Sequence, residues 1–319
     1  MNRGRKLAAG LIACVAAAAA GAGSAPAAEH AHNAADLAAC NWATPDAARG
    51  MAGFDAGAAF ASTARGGRQR EPDMSTDAEI EGAVPTVPKR FAATVPVYVH
   101  VINKGATLAD GNVPDSQIQQ QITVLNQTFN GMRGGADSNF NFVLKGVDRT
   151  TNEAWFNMAP NTSQERAAKR ALHKGGPDAL NIYTAEGGGF LGWAYFPKDV
   201  AGSNGRQYID GIVIAYGSMP GGDIPNYNLG FTATHEAGHW IGLYHTFQNG
   251  CSAVGDRIDD TPRQRFPTSG CPAGQDSCPE PGLDPIHNYM DYSYDPCYTE
   301  FTAQQATRMQ QQWLAYRAG

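Results

Sequence analysis

With 319 residues, 17% of them charged and 42% hydrophobic, the chain has the composition of a globular protein long enough for one sizeable domain plus extra segments, which excludes a disordered polymer. Its 24 Lys and Arg against 30 Asp and Glu leave a formal net charge of −6. That gives no basic field for nucleic acid or an anionic membrane, so neither partner is expected.

Arg3, Arg5 and Lys6 precede an apolar, Ala-rich run over 7–23 and then Ala25-Pro26-Ala27. This is the order of a secretory signal peptide, read here as residues 1–28 with cleavage after Ala27 or Ala28. The run is short and mostly alanine, so it predicts export to the extracellular space, not a stable membrane anchor. Leu11-Ile12-Ala13-Cys14 looks like a lipobox, but cleavage there would leave too short an apolar core. Residues 29–90 follow, rich in Ala, Gly, Arg, Pro and Asp and without long apolar periodicity, and read as a pro-segment and linker.

The main domain is expected over 91–319. A β-branched run over 95–102 predicts a buried strand, in which His100 is expected to be a packed core residue. Ile118, Ile122, Leu125 and Phe129 recur at spacings of four and three, predicting an amphipathic helix over 114–129. Strands are expected over 140–147, 179–184 and 211–216, and a short helix over 163–173. This alternation implies an α/β (α+β) fold around a twisted mixed sheet. Within 187–197 glycines precede alternating Leu191, Trp193 and Tyr195, which suits either a sheet edge that pairs with an extended peptide or a plain surface hairpin.

A helix starting near Thr232 then carries His235-Glu236-Ala-Gly-His239-Trp-Ile-Gly242-Leu-Tyr-His245. One helical turn separates His235 from His239, so both imidazoles share a face with Glu236 beside them. Gly242 can take the left-handed conformation that ends a helix, which turns the chain back so that His245 supplies a third ligand. Three protein ligands and an open fourth position describe a catalytic zinc site, with Glu236 as general base and acid. Cys14 leaves with the signal peptide, and Cys251, Cys271, Cys278 and Cys297 form an even set, so Cys40 is left over. Its thiolate is expected to fill the open zinc position in a latent form.

Downstream, about 45 residues beyond His245, Asn288-Tyr-Met290-Asp-Tyr292-Ser293 has the form of a Met-turn, which would set Met290 as an apolar floor beneath the histidines; Tyr292 is either an oxyanion donor near the zinc or a packed aromatic. The intervening segment is too long for a featureless connection and needs disulfide staples; its four cysteines allow three pairings. Asp256, Asp260 and Thr261 cluster oxygen ligands for a calcium ion, or form an Asp-rich turn. An amphipathic helix over 302–316 closes the chain, with Met309, Trp313 and Tyr316 at packing spacing.

The H-E-x-x-H-x-x-G-x-x-H pattern with its Met-turn is that of the metzincin metallopeptidases. Thr234 to Phe247, the turn at Met290, Leu191-Gly-Trp-Ala-Tyr-Phe-Pro197 and Thr299 to Met309 together resemble the pappalysins, a metzincin group that includes ulilysin-type secreted enzymes. Thr246 after the third histidine favours this group over astacins and adamalysins. The resemblance implies a metzincin-type catalytic domain with an active-site helix and a loop-rich, disulfide-stapled C-terminal subdomain. It implies zinc on His235, His239 and His245, Glu236 as base, Tyr292 near the metal, 191–196 lining the cleft, and calcium binding near Asp256. It also implies the pairs Cys251–Cys278 and Cys271–Cys297, and a pro-segment cysteine like Cys40. The expected function is a secreted zinc endopeptidase acting on proteins or peptides. A zinc hydrolase of non-peptide substrates and a metal-binding adhesion module are the alternatives, and the sequence leaves the oligomeric state open.

Overall fold

A computed structural model describes residues 63–64, 68–69, 84–201 and 207–318. Of the two units into which the chain divides, Met1–Gly57 and Ala58–Gly319, the described residues all belong to the second. The expected signal peptide 1–28 and Cys40 lie outside them. Within the expected linker, Thr63–Ala64 and Arg68–Gln69 form a short antiparallel pair.

Five strands make the main sheet: β1 (Ala93–Asn103), β2 (Phe140–Thr151), β3 (Leu180–Ala185), β4 (Gly192–Ala194) and β5 (Ile212–Ala215), in the order β2-β1-β3-β5-β4. All neighbours are parallel except β4 and β5, which are antiparallel, so the sheet is mixed and β4 forms one edge. β1 lies inside the sheet between β2 and β3, and its alternate residues Val95, Val97, Val99 and Val101 are all buried. Burying each contributes on the order of 1.5–3 kcal/mol.

The period of two separates the two faces. Val95 to Val101, Leu180, Ile182, Ile212 and Ile214 meet helices α1 (Asp115–Phe129), α5 (Phe231–Ile241) and α6 (Ala303–Tyr316) in one core. Ile102, Tyr183, Trp193 and Val213 face the other way, against α2 (Glu153–Phe156) and α3 (Ser163–Leu172). A further short helix, α4 (Pro197–Ala201), follows β4. Between α5 and α6 the one regular element is a 3-10 turn at Asp295–Cys297, which is the expected loop-rich region. No helix among the described residues is long and apolar enough to cross a membrane.

Two expectations need correction. β2 runs to Thr151 and not to 147, because its second half, Asp148-Arg149-Thr150-Thr151, is polar yet still pairs with β1. Helix α5 begins at Phe231 with Gly230 at its N-cap in the left-handed conformation (φ +88°), so Thr232 lies inside the helix. His100 is a core residue as expected: both oxygens of Asp148 lie 3.0 Å from its Nδ1, Asn181 Oδ1 lies 2.9 Å from its Nε2, and Tyr183 stacks on its ring.

The last turn of the chain locks helix α5. Arg317 is buried, lies 3.7 Å from the Trp240 ring centroid, donates Nε–H to the Trp240 carbonyl at 2.8 Å and pairs with Asp210 at 2.8 Å. Its guanidinium therefore meets the carboxyl end of α5, where the helix dipole favours a cation. Removing one partner of such a buried pair strands the other charge. Arg317→Met is expected to cost about 3–5 kcal/mol, and Arg317→Met with Asp210→Leu clearly less. Urea unfolding of the two variants checks this; equal losses would contradict it.

Candidate active site

Helix α5 presents His235, Glu236 and His239 on its buried face, with each residue at most 5% exposed. The helix stops at Ile241 because Gly242 takes φ +117°, and its N–H returns to the Gly238 and His239 carbonyls. A Cβ at Gly242 would also lie 2.7 Å from Gln312 of α6, so both conformation and space require glycine. Arg308 of α6 donates to the Gly242 carbonyl at 2.9 Å. The reversed chain then brings His245 back to the helix.

The three Nε2 atoms converge: His239 Nε2 lies 3.1 Å from that of His235 and 3.0 Å from that of His245. The tautomers follow from the other ring nitrogens. His235 Nδ1–H donates to the Tyr289 carbonyl at 2.6 Å, and His239 Nδ1–H to the Leu243 carbonyl at 2.7 Å. Their Nε2 atoms are thus lone-pair donors pointed at one another, an arrangement that a shared cation resolves. Zinc–nitrogen bonds of about 2.0–2.1 Å in tetrahedral geometry would hold the nitrogens about 3.3–3.4 Å apart, so a shift of a few tenths of an ångström admits the ion.

The Met-turn lies beneath. A Cβ on Gly238 would come within 2.5 Å of Met290 Sδ, which places the thioether directly under the helix turn that joins the first two histidines. Tyr292 packs its ring 5.7 Å from His235 and 5.0 Å from His245, and Phe247 closes against both His245 (4.6 Å) and Tyr292 (4.9 Å). On the opposite side Phe196, at the end of β4, meets His239 at 5.3 Å. Aromatic walls thus flank the histidines.

Sequence reasoning missed the polar network that holds the third histidine. Thr246 N–H donates to the Met290 carbonyl at 3.2 Å, and its hydroxyl donates to Gln264 Oε1 at 2.6 Å. Gln264 Nε2 donates to Thr268 Oγ1 at 3.0 Å, and Thr268 N–H donates to Asp291 Oδ1 at 3.0 Å. All four side chains are buried. Burial pushes the Asp291 carboxyl up, against the bonds from the Thr268 and Tyr292 amides. A threonine directly after a metal-binding histidine was the one sequence signal that pointed to this network. The loop that carries Gln264 and Thr268 is closed by Cys251–Cys278 and Cys271–Cys297, the two pairs implied by the resemblance.

The expected calcium residues are only partly brought together. Thr261 Oγ1 donates to Asp256, whose buried carboxyl desolvation pushes up to about 6. Asp260 turns away: it accepts from Thr302 Oγ1 at 2.6 Å and from the Gln304 amide at 2.9 Å, capping α6. Three groups of His, Cys, Asp or Glu among the described residues bring their ligand atoms within 4.8 Å, and none includes Asp256. One is the histidine triad, and the other two contain the disulfide cysteines.

A family model described as Pregnancy-associated plasma protein-A, of the M43 peptidases, matches residues 192–314. An extracellular metalloprotease of Neurospora crassa is 50% identical over 226 residues, covering 70% of this chain and 76% of its own. The chain belongs to the pappalysin family. Another extracellular metalloprotease of the family, from Pyricularia oryzae, is 49% identical over 234 residues, covering 72% and 78%. Mature mirolysin of Tannerella forsythia, solved with a cleaved peptide, is 30% identical with a TM-score of 0.59, covering 69% of this chain and 91% of its own. The expected metzincin-type α/β fold is therefore present. The chain is a secreted metalloendopeptidase that acts on peptide or protein substrates, and as a pappalysin it works with a bound metal.

The left-handed turn that returns His245 to the helix of this pappalysin is the part most exposed to a single change. Gly242→Ala is expected to cost about 1–3 kcal/mol and to weaken metal retention. Thermal unfolding and competitive metal titration measure both; an unaltered variant would mean that the turn accepts a Cβ.

Proposed function

We propose that His235, His239 and His245 hold a zinc ion and that Glu236 is the general base and acid of peptide hydrolysis. The convergence of the three Nε2 atoms, with two tautomers held by carbonyl partners, carries this reading. The all-imidazole donor set, completed by one open position, suits zinc in a catalytic role. Zinc bound there supplies Lewis acidity toward the scissile carbonyl and the attacking water.

The protein's own groups do the rest. Glu236, buried beside His235, takes the proton of the attacking water on its carboxylate and passes it to the leaving amine. Tyr292, packed on His235 and His245, donates its phenolic hydrogen to the oxyanion that develops as the carbonyl becomes tetrahedral. Met290 shapes the floor without ligating. β4, the outermost strand on that side of the sheet, receives an extended peptide by main-chain hydrogen bonds, with Phe196 just beyond it beside His239.

The proposal extends to a precursor. Residues 1–28 direct export, 29–90 form the pro-segment, 91–319 form the catalytic domain, and Cys40 occupies the fourth zinc position until cleavage. A Cys40→Ser precursor should then cleave peptide without prior proteolysis. For calcium, the contact between Asp256 and Thr261 supports a site drawn from those two residues, whereas the capping role of Asp260 speaks against its membership.

Glu236→Gln should keep its zinc while losing about 100- to 10,000-fold in kcat. Tyr292→Phe should lose about 100-fold with KM little changed. Metal analysis beside steady-state kinetics on a fluorogenic peptide separates the two roles, and a Glu236→Gln enzyme with normal turnover would end the assignment. Hydrolysis of simple esters or amides with no turnover of peptides would favour the non-peptide hydrolase.

A further inference from the structure

The edge strand β4 has two unlike sides. Gly192 and Ala194 face α5: a Cβ on Gly192 would fall 2.9 Å from both Cγ and Oε1 of Glu236, and Ala194 joins the core of that helix. Trp193 and Tyr195 point the other way, toward α3. There they meet one carboxylate. Glu165, fully buried, accepts from Trp193 Nε1 at 2.7 Å, from the Tyr195 hydroxyl at 2.9 Å and from the Asn161 amide at 2.8 Å. Lys169, also fully buried and one helical turn along, sits 3.1 Å from Glu165 and donates to the Ile209 carbonyl at 2.8 Å. Its ammonium also lies 4.7 Å from the Tyr195 ring centroid.

We propose that Glu165, held by Lys169, is a positioning residue that fixes the height and register of β4 above helix α5 and so aligns the peptide for cleavage. The proposal rests on the reading that β4 pairs with the substrate. β4 is an edge strand of three residues, bonded on one side to β5, and an isolated edge of that length has little rigidity of its own. Two side-chain donors, two residues apart on one face, bind the same carboxylate and remove its freedom to slide or twist. The small residues on the other face leave no slack, because Glu236 lies against Gly192. A shift of β4 toward α5 would press on the general base, and a shift away would open the cleft. Displacement of about 1 Å at such a site can cost about a hundredfold in rate.

A buried carboxylate loses its water, and Lys169, Trp193, Tyr195 and Asn161 replace that hydration with four fixed donors. Desolvation likewise pushes the Lys169 ammonium down from its usual range, and Glu165 opposes that shift. Asp210 and Glu236 oppose that shift as well, so the pair braces the sheet edge within electrostatic reach of Glu236.

The test uses the mature, zinc-loaded enzyme and two versions of one extended peptide. One version is methylated on the backbone nitrogen that would pair with β4. In the wild type, methylation should raise KM at least tenfold. Glu165→Gln and Tyr195→Phe should each lower kcat/KM for the unmodified peptide at least tenfold while bound zinc and melting temperature are kept, and should shrink the methylation effect. The indole N–H resonance of Trp193 should move in Glu165→Gln. Should Glu165→Gln fail to fold, Tyr195→Phe, which keeps the Glu165–Lys169 pair, decides alone. Variants that keep wild-type kcat/KM while methylation still matters would overturn the role of Glu165 and leave edge pairing intact. No methylation effect in the wild type would instead overturn edge pairing, and the positioning role with it. Parallel losses of kcat, zinc and melting temperature would overturn the proposal in favour of general loosening.

Discussion

Everything at the site depends on how helix α5 ends. A helix terminus leaves carbonyls without intrahelical partners, and here those carbonyls receive specific donors: the Gly242 amide reaches Gly238 and His239, Arg317 takes Trp240 and Arg308 takes Gly242. Five residues separate His239 from His245, and within that span the chain must reverse so that a third imidazole faces the first two. Only a left-handed residue at Gly242 makes the reversal that tight. The two arginines of the C-terminal segment then make the turn rigid, so the end of the chain braces a site whose histidines lie about 70 residues earlier.

The same economy governs the ring orientations. The carbonyls that hold the histidine Nδ1 atoms come from Tyr289, which enters the Met-turn, and from Leu243, which leaves the Gly242 turn. His235 and His239 are thereby oriented by the backbone of neighbouring turns. Thr246, Gln264, Thr268 and Asp291 extend that scaffold through the disulfide-closed loop to the Met-turn. The disulfides thus brace a catalytic support, which explains how a region with so little regular structure can hold Tyr292 against two ligand rings.

What was legible beforehand follows from the range of each interaction. Periodicity located β1, α1, α3 and α6 because their burial stripes are local, and the histidine motif was legible because helix geometry alone brings His235 and His239 together. The two cysteine pairs needed the family resemblance, since spacing alone allowed three pairings. The polar half of β2 stayed hidden because its pairing with β1 is set by Asp148 and the backbone rather than by apolar residues. Arg317 and Gln264 stayed hidden for the same reason: their partners lie 77 and 18 residues away, and no local pattern marks such a contact. Asp260 misled by composition, because an acidic cluster and a helix cap look alike until the partner at Thr302 is in place.

The Glu165–Lys169 pair raises a question of energetic purpose. A buried ion pair rarely stabilises a fold more than apolar side chains of the same volume, so stability is a poor reason to place one behind β4. What the pair provides instead is direction. An apolar filler would hold Trp193 and Tyr195 by contact alone and would tolerate rotation or a shift of the strand, whereas a carboxylate with four donors accepts one arrangement. On the proposed pairing of substrate with β4, that definition at the edge would bring each peptide bond to the same height over Glu236. The constraint behind β4 and the constraint at Gly242 therefore act on the same distance from opposite sides: one sets where the substrate carbonyl lies, the other where the histidines do.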